Sequence, residues 1–411
     1  MKKGYLSQYF QGLASKQLSA VEANPSRSNQ HEFNGDKGLR NLLGEPDGVV
    51  KYPAKIMYLT DDDEPIVSEN ESMTWYDARQ PARIKNGVMR WEYRLYFPSS
   101  PVSQCTAEGD LLVIAKCTDG SLLAIIAEKS TSIARQIEWL FGLSDDVHPG
   151  FSVKSELETD QNRIGYAASV ILEQIGIVLE EDEPSLLDQM LSKFGGTFPK
   201  TIDFSEFARS TVGDLFSIDD PDTALVAWMD REEILFRTLE KHLLGDQLRE
   251  LTKKDIETEP FIKLVQSALQ RRKSRAGSAL ENHMEQVFKD HGITYSRGPA
   301  TEGKTKPDFI FPGIKNYHNS AFPQMRLTML AAKTTLKDRW RQILTEAERI
   351  PNKHLLTLQP GISENQTDEL KAENVQLVLP KGLHLSFSVT QQSCLMDVSG
   401  FIQLVDKRQK N

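Results

Sequence analysis

The sequence predicts a β-rich N-terminal domain followed by a mixed α/β domain. Three observations predict it. Between Gly4 and Leu143, short apolar runs alternate with turn residues, the pattern of strands joined by hairpins. From Asp219 onward, stretches with apolar residues at helical spacing alternate with short apolar runs, the pattern of helices packed on a sheet. At 411 residues the chain has room for two domains, or three. The expected boundaries are 1–178 for the first domain, 179–215 for a linker and 216–411 for the second domain.

In the first domain, Ala54–Leu59, Val88–Phe97, Asp110–Lys116 and Ser121–Ala127 read as strands. Asp119-Gly120 between the last two is a hairpin signal. Ser130–Phe141 reads as a helix with Ile133, Ile137, Leu140 and Phe141 on one side. Several strands with one or two helices fit an open barrel. On the strand over 88–97, Arg90, Glu92 and Arg94 share one face and Trp91, Tyr93 and Leu95 the other. With Arg83 and Lys85 just before them, these cations read either as contacts to phosphates and bases or as a solvated face over an aromatic core. Lys16, Ser19, Arg27, Asn29 and His31 lie in a polar, turn-rich stretch that suits base-reading side chains. Taken alone, His31 is equally at home as a surface histidine.

From about Asp145 to Phe216 the chain changes character. Glu156–Ile177 and Ser185–Phe194 read as helical, Gly195-Gly-Thr-Phe-Pro-Lys as a loop, and the whole as connecting structure. The acidic run Leu179-Glu-Glu-Asp-Glu-Pro-Ser is either simply solvated or a cover for a basic cleft. In the second domain, Thr223–Leu244, Pro260–Leu269 and Glu281–Asp290 read as helices. His291-Gly292 ends the third of them, with Gly292 as its C′ residue. Phe309–Phe311, Met325–Lys333, His354–Leu358 and Val375–Leu379 read as strands, and Gln391–Val405 as a closing helix or strand. A further helix is expected from Lys337. Asp338 suits its first turn, where the helix dipole favours an anion, and Trp340, Ile343, Leu344 and Ala347 make its buried side.

The net charge of −9 argues against a polyanion-binding protein only until its distribution is read. From Phe261 to Ile350 there are 16 Lys and Arg against 8 Asp and Glu, so that stretch carries about +8 and the remainder about −17. A basic stretch set in an acidic chain is the footprint of a nucleic acid. Three scattered cysteines, Cys105, Cys117 and Cys394, exclude a disulfide framework and show no zinc spacing. No apolar run approaches membrane-spanning length, and the start has no signal-peptide core, so cytoplasm is the expected location. No membrane partner and no nucleotide cofactor are expected.

The chemistry concentrates in Lys306-Pro-Asp308-Phe-Ile-Phe-Pro and in Leu327-Thr-Met-Leu-Ala-Ala-Lys333. Two adjacent strands would bring the Asp308 carboxylate to the Lys333 amine. A metal-held carboxylate beside a lysine activates water for phosphodiester cleavage. Glu281 lies near the start of one flanking helix, and Glu346 two turns along the other, where it can point back toward Lys333.

Arg271-Arg-Lys-Ser-Arg-Ala-Gly, Thr301-Glu-Gly, Lys306-Pro-Asp-Phe, Lys333-Thr-Thr and Lys337-Asp-Arg-Trp-Arg-Gln-Ile-Leu together resemble the catalytic domain of the EcoRII family of restriction endonucleases. Weaker likeness continues through His354-Leu-Leu-Thr-Leu-Gln and Val378-Leu-Pro. Lys16-Gln-Leu-Ser-Ala, with His31 downstream, resembles the start of the family's N-terminal DNA-binding domain. The resemblance implies a B3-like β pseudobarrel followed by a PD-(D/E)XK catalytic domain. It implies Asp308 as a metal ligand and Lys333 as the group orienting the attacking water. Glu346 stands in for the acidic residue expected two positions before Lys333, where this chain has Ala331.

Glu281 and Tyr317 resemble further residues of that site, although Glu281 reads equally as a first-turn glutamate favoured by the helix dipole. Lys337-Asp338-Arg339 resembles the family's recognition element. Arginine donates to guanine O6 and N7, and aspartate accepts from cytosine N4. The chain departs from the family where flipped bases are held. An ungapped alignment puts Met229 and Glu233 there, with Trp228 and Arg231 close by as substitutes for stacking or as plain helix residues.

The expected function is a type II restriction endonuclease, of the effector-activated type IIE, that hydrolyses double-stranded DNA with Mg2+. The expected site has CC/GG ends, CCNGG- or CCWGG-like, and a homodimer through the catalytic domain is expected. Magnesium prefers oxygen ligands and keeps several waters, so a few carboxylates suffice. Two other classes stand beside it: a nuclease whose N-terminal domain senses modified DNA, and a non-cleaving, sequence-specific DNA-binding protein.

Overall fold

The computed structural model describes the chain except residues 1–3, 24–30, 62–63, 81–83, 86, 88–90, 144–149, 160–164, 178, 180–183, 253–257 and 411, and the side chains at 184, 250, 252, 304 and 337–339. The chain divides into two compact units, Met1–Val178 with Gly361–Ser363, and Leu179–Pro360 with Glu364–Asn411.

The first unit is built on an eight-stranded sheet of order β2-β5-β4-β3-β7-β6-β1-β8. Its strands are β1 (Phe10–Gln17), β2 (Glu32–Gly35), β3 (Val50–Leu59), β4 (Ile66–Asp77), β5 (Tyr93–Tyr96), β6 (Leu111–Cys117), β7 (Leu122–Ala127) and β8 (Ser152–Lys154). The Asp119-Gly120 turn closes the β6–β7 hairpin as its sequence predicts. Gly120 takes a positive φ of 86°, which a residue with a Cβ resists, and Asp119 accepts from the Ser121 amide at 2.9 Å. One face buries Trp75, Tyr93, Leu95, Leu112, Ile114 and Ala124 in a common core. Helix α1 (Ser132–Phe141) starts at Thr131, whose hydroxyl accepts from the Ala134 amide at 3.3 Å. Asp61 takes the Ser132 and Ile133 amides at 2.8 and 2.9 Å, so three of the first free amides of this helix are satisfied. The expected helix over 156–177 is confined to α2 (Tyr166–Gln174) among the described residues.

The second unit carries a five-stranded sheet of order β13-β12-β11-β10-β9. Its strands are β9 (Ser296–Arg297), β10 (Phe309–Phe311), β11 (Thr328–Ala332), β12 (Lys353–Leu356) and β13 (Val375–Val378). β9, β10 and β11 pair antiparallel, while β11, β12 and β13 run parallel. The mixed α/β class expected for this half is what the chain adopts.

The stretch 179–215 is not an open linker. It holds α3 (Pro184–Phe194) and α4 (Thr201–Ser210), which pack on α5 (Pro221–Thr252) within the second unit. Met190, Phe204, Phe207 and Ala208 are buried there against Leu235, Phe236, Leu239 and Leu243. Burying each large side chain is worth about 1.5–3 kcal/mol, which a solvated connector would forgo.

Two helices expected over 260–269 and 281–290 are one, α6 (Thr258–Asp290). The basic stretch between them continues the helix because its Arg, Lys and Ala residues are strong helix formers and its cations find partners on α5. Arg275 is 6% exposed and pairs with Glu232 at 3.4 Å and with Glu233, while Arg272 reaches Glu240 at 2.7 Å. Arg271 lies over the Phe198 ring at 4.0 Å. Arg275 is thus internal, while Arg272 stays partly open to solvent and Lys273 is exposed. The end of α6 agrees with its sequence: Gly292 has φ 65° and the Ile293 amide returns to the Phe288 carbonyl at 2.9 Å. The closing segment is helical, ending in α8 (Val398–Lys410), with α7 (Ile314–His318) lying earlier between β10 and β11. Among the described residues, no helix is long and apolar enough to cross a membrane.

Candidate active site

Antiparallel register brings the first pair together. Phe309 lies opposite Leu330 and Ile310 opposite Met329, so Asp308 falls opposite Ala331. Lys333 is two residues further along the same strand face, a diagonal neighbour that a long side chain reaches. Its ammonium donates to Asp308 Oδ2 at 3.1 Å, and the Ala332 amide donates to the same oxygen at 2.8 Å. The Lys333 amide is itself held by the Leu356 carbonyl at 2.9 Å. Ala331, at the position a paired acid would occupy, is fully buried.

Helix α6 supplies Glu281. Two turns further along the same helix face, Phe288 packs edge-on against Phe309 and Phe311 with ring centroids 5.1 and 5.0 Å apart. That contact fixes the helix on β10 and sets Glu281 beside Asp308. Burial raises the Glu281 pKa above the ordinary carboxylate value, and the Asp308 charge raises it further, against the opposing pull of Arg297 and Lys333. Arg297, on β9, donates to Glu281 at 3.1 Å and to Glu285 at 2.8 Å. Glu346 behaves in the same way. Burial raises its pKa first and Asp308 second, while Lys333 and Lys353 lower it. Asp308, Lys333, Glu281 and Glu346 therefore share one electrostatic environment.

The helix expected from Lys337 is a 3-10 segment, Lys337–Thr345, and Glu346 follows it in extended conformation. Trp340 and Ile343 are its buried residues. The Leu336 amide is pinned by Gln359 Oε1 at 2.7 Å. The side chains of Lys337, Asp338 and Arg339, the expected recognition element, lie outside the described residues.

Tyr317, on α7, is fully buried. Its hydroxyl donates to the Glu302 carboxylate at 2.6–2.7 Å and accepts from the Arg349 amide at 3.2 Å. Through that bond the hydroxyl braces the chain that follows Glu346. Trp228 is 4% exposed, packed by the His283 ring at 5.8 Å with the Arg209 guanidinium 5.8 Å from its own ring centre. It has no open face on which a base could stack. Arg231 donates to Thr211 Oγ1 at 2.9 Å.

In the first unit, Lys16 is 8% exposed and its ammonium is held by Glu22 at 2.5 Å. Ser19 donates to the same carboxylate at 2.7 Å. Lys16 is thus held inside this turn, while Ser19 stays exposed on it. His31 stacks edge-on with Phe97 at 5.6 Å, and its Nδ1 is buried without a hydrogen-bond partner. Arg94 and Arg79 both pair with Glu92, and Lys85 is exposed. Arg27, Asn29, Arg83 and Arg90 lie outside the described residues.

Among the described residues no three His, Cys, Asp or Glu side chains form a ready-made metal cage. The acidic groups nonetheless fit a hard divalent cation. Their donors are all carboxylate oxygens, and Glu281 and Glu346 are each raised by Asp308, a mutual repulsion that a cation relieves. A cation of this type needs only one or two carboxylates and keeps several waters. Sequence reasoning missed Arg297, Glu302, Arg349 and Lys353, because each acts on a partner brought close only by folding.

Residues 236–402 match the family model described as EcoRII C terminal. Over 184 residues the chain is 43% identical to the type II restriction enzyme EcoRII of Escherichia coli, covering 44% of this chain and 45% of that enzyme. Over 127 residues it is 33% identical to the type II restriction enzyme SsoII of Shigella sonnei, covering 28% and 40%. The chain thus spans less than half the length of these curated relatives. Of solved structures, metal-depleted Ecl18kI with uncleaved, modified DNA aligns at TM-score 0.46 and 22% identity, over 56% of this chain and 85% of that one. The PspGI–substrate DNA complex aligns at TM-score 0.42 and 17% identity, over 51% and 94%.

Proposed function

We propose that this chain, which is EcoRII-like over residues 236–402, is a type II restriction endonuclease that hydrolyses double-stranded DNA in a divalent-metal-dependent reaction. The observation that carries the proposal is the Lys333 ammonium 3.1 Å from Asp308 Oδ2, with Glu346 and Glu281 in the same field. Asp308 and Glu346 would hold Mg2+, which when bound relieves the charge on the scissile phosphate and acidifies a coordinated water. Lys333 orients the attacking water through its ammonium. The water oxygen joins phosphorus and gives up a proton to solvent, the bond from phosphorus to the leaving 3′ oxygen breaks, and solvent protonates that oxygen. Glu281 and Arg297 form the polar wall beside the reacting phosphate.

The finer parts of the proposal follow the likeness to EcoRII. The site is one with CC/GG ends, read by Lys337, Asp338 and Arg339. The first unit, residues 1–178, binds a further DNA copy as an effector, and the second unit forms the homodimer. Phe261, Ile262, Val265 and Leu269 support the dimer: they are 40–52% exposed along one face of α6, and light scattering should return twice the chain mass. Arg339→Ala is expected to cost about 1–3 kcal/mol of discrimination between cognate and random DNA. Equal weakening on both DNAs in a competition gel shift would make Arg339 a phosphate contact only.

The direct test of the function is digestion of unmodified and methylated plasmids bearing one or two sites, with MgCl2 or with EDTA. Specific double-strand cuts that vanish in EDTA, and that come faster on two-site plasmid, are expected. Binding without cutting under every condition would support a non-cleaving DNA-binding protein. Cutting confined to methylated plasmid would support a modification sensor.

A further inference from the structure

We propose that Lys353 and Arg349 are positioning residues that clamp the backbone from Glu346 to Ile350, and through it set the Glu346 carboxylate against Asp308 and Lys333. The inference rests on reading those three residues as the catalytic centre. Lys353 begins β12 and is 6% exposed. Its ammonium donates to the carbonyl oxygens of Glu346, Ala347 and Ile350, the last two at 3.3 Å. A lysine has three donors, and all three are used on one short loop. Burying an ammonium is costly unless it is hydrogen-bonded, and here three carbonyls of one loop meet it.

Arg349 closes the same loop from the other side. Its guanidinium donates to the carbonyls of Tyr317, of Asn319 at 3.0 Å and of Phe322 at 2.9 Å. Its amide donates to the Tyr317 hydroxyl at 3.2 Å, which Glu302 holds in turn. Between the two clamps, Ala347 takes a φ of 48°, a left-handed conformation that a residue with a Cβ adopts only where its surroundings impose it. The Ile350 amide returns to the Ala347 carbonyl at 2.8 Å and completes the turn.

The anchor for this loop is the sheet itself. Lys353 lies opposite Val375 of β13 in parallel register. Three residues further along β12, the Leu356 carbonyl accepts from the Lys333 amide at 2.9 Å. One strand therefore registers both functional groups, Lys333 through a backbone bond and Glu346 through the Lys353 side chain. A residue that orients a metal ligand in this way tunes metal affinity without touching the metal.

The test is calorimetric titration of the full chain with MgCl2, comparing wild type with Lys353→Met and Arg349→Met. Each variant is expected to bind Mg2+ about 10–100-fold more weakly, while its affinity for DNA in EDTA stays within about threefold of wild type. A role in stability alone would lower the melting temperature and leave the Mg2+ constant of the folded protein unchanged, and that result would overturn the inference. If Lys353→Met does not fold, Arg349→Met decides it on the same criterion. Wild-type protein that takes up no Mg2+ would strike instead at the metal reading of Asp308 and Glu346, and would remove the inference with it.

Discussion

Lys333→Ala and Asp308→Ala should each lower the rate of DNA cleavage by at least about a thousandfold, roughly 4 kcal/mol of transition-state stabilisation. Affinity for DNA should change little. The expectation follows from the geometry: one carboxylate oxygen receives both the Lys333 ammonium at 3.1 Å and the Ala332 amide at 2.8 Å. On the proposed reading, removing the carboxylate takes away a metal ligand, and removing the amine takes away the group that orients water. Neither change empties the core, since both side chains are partly open to solvent, at 15% and 30% exposure. Backbone phosphate contacts dominate nucleic-acid affinity, so binding survives. Single-turnover cleavage beside gel shifts in EDTA would check both halves. Lys333→Ala protein that cuts at the wild-type rate would end the proposed role of that residue.

Arg275→Ala should destabilise the second unit by about 3–5 kcal/mol, the usual loss when one partner of a buried ion pair is removed. Arg275 is 6% exposed, and its partner Glu232 is wholly buried at 3.4 Å. Glu232 would be left facing His283, whose pKa is pushed down by burial. The guanidinium also lies 4.2 Å from the centre of the Phe236 ring, so packing is lost with the charge. Arg341→Ala is the matched control, because its pair with Glu369 is about half exposed on both sides and is worth under about 1 kcal/mol. Urea unfolding followed by circular dichroism measures both. A shift for Arg275→Ala no larger than that for Arg341→Ala would show that the buried network contributes nothing to stability.

Local pattern was enough for the elements that carry the candidate chemistry. Apolar runs bounded by Pro and Gly marked β10 and the Asp119-Gly120 hairpin, and helical spacing with Gly292 marked the end of α6. Those signals are legible because backbone preference and the inside–outside alternation of side chains act over a few residues. The juxtaposition of Asp308 with Lys333 was legible too, since two short strands joined by a modest connection have few ways to pair.

What the sequence could not reveal was how each charge is spent. Arg271 to Arg275 read as a basic surface, yet Arg272 and Arg275 pair with acids 32 to 43 residues away on α5. Lys16 read as a DNA contact and is buried on Glu22. Trp228 and Tyr317 read as site aromatics and are packed in the core. The 179–215 stretch read as a linker, and its apolar residues close a core with α5. Lys353 carried no signal of its own, because its role depends on three carbonyls that only the folded loop presents. A charged or aromatic side chain is the same in sequence whether it faces solvent, a ligand or a buried partner. Only the tertiary structure decides among these, because the desolvation cost and the pairing that offsets it depend on which distant residue arrives beside it.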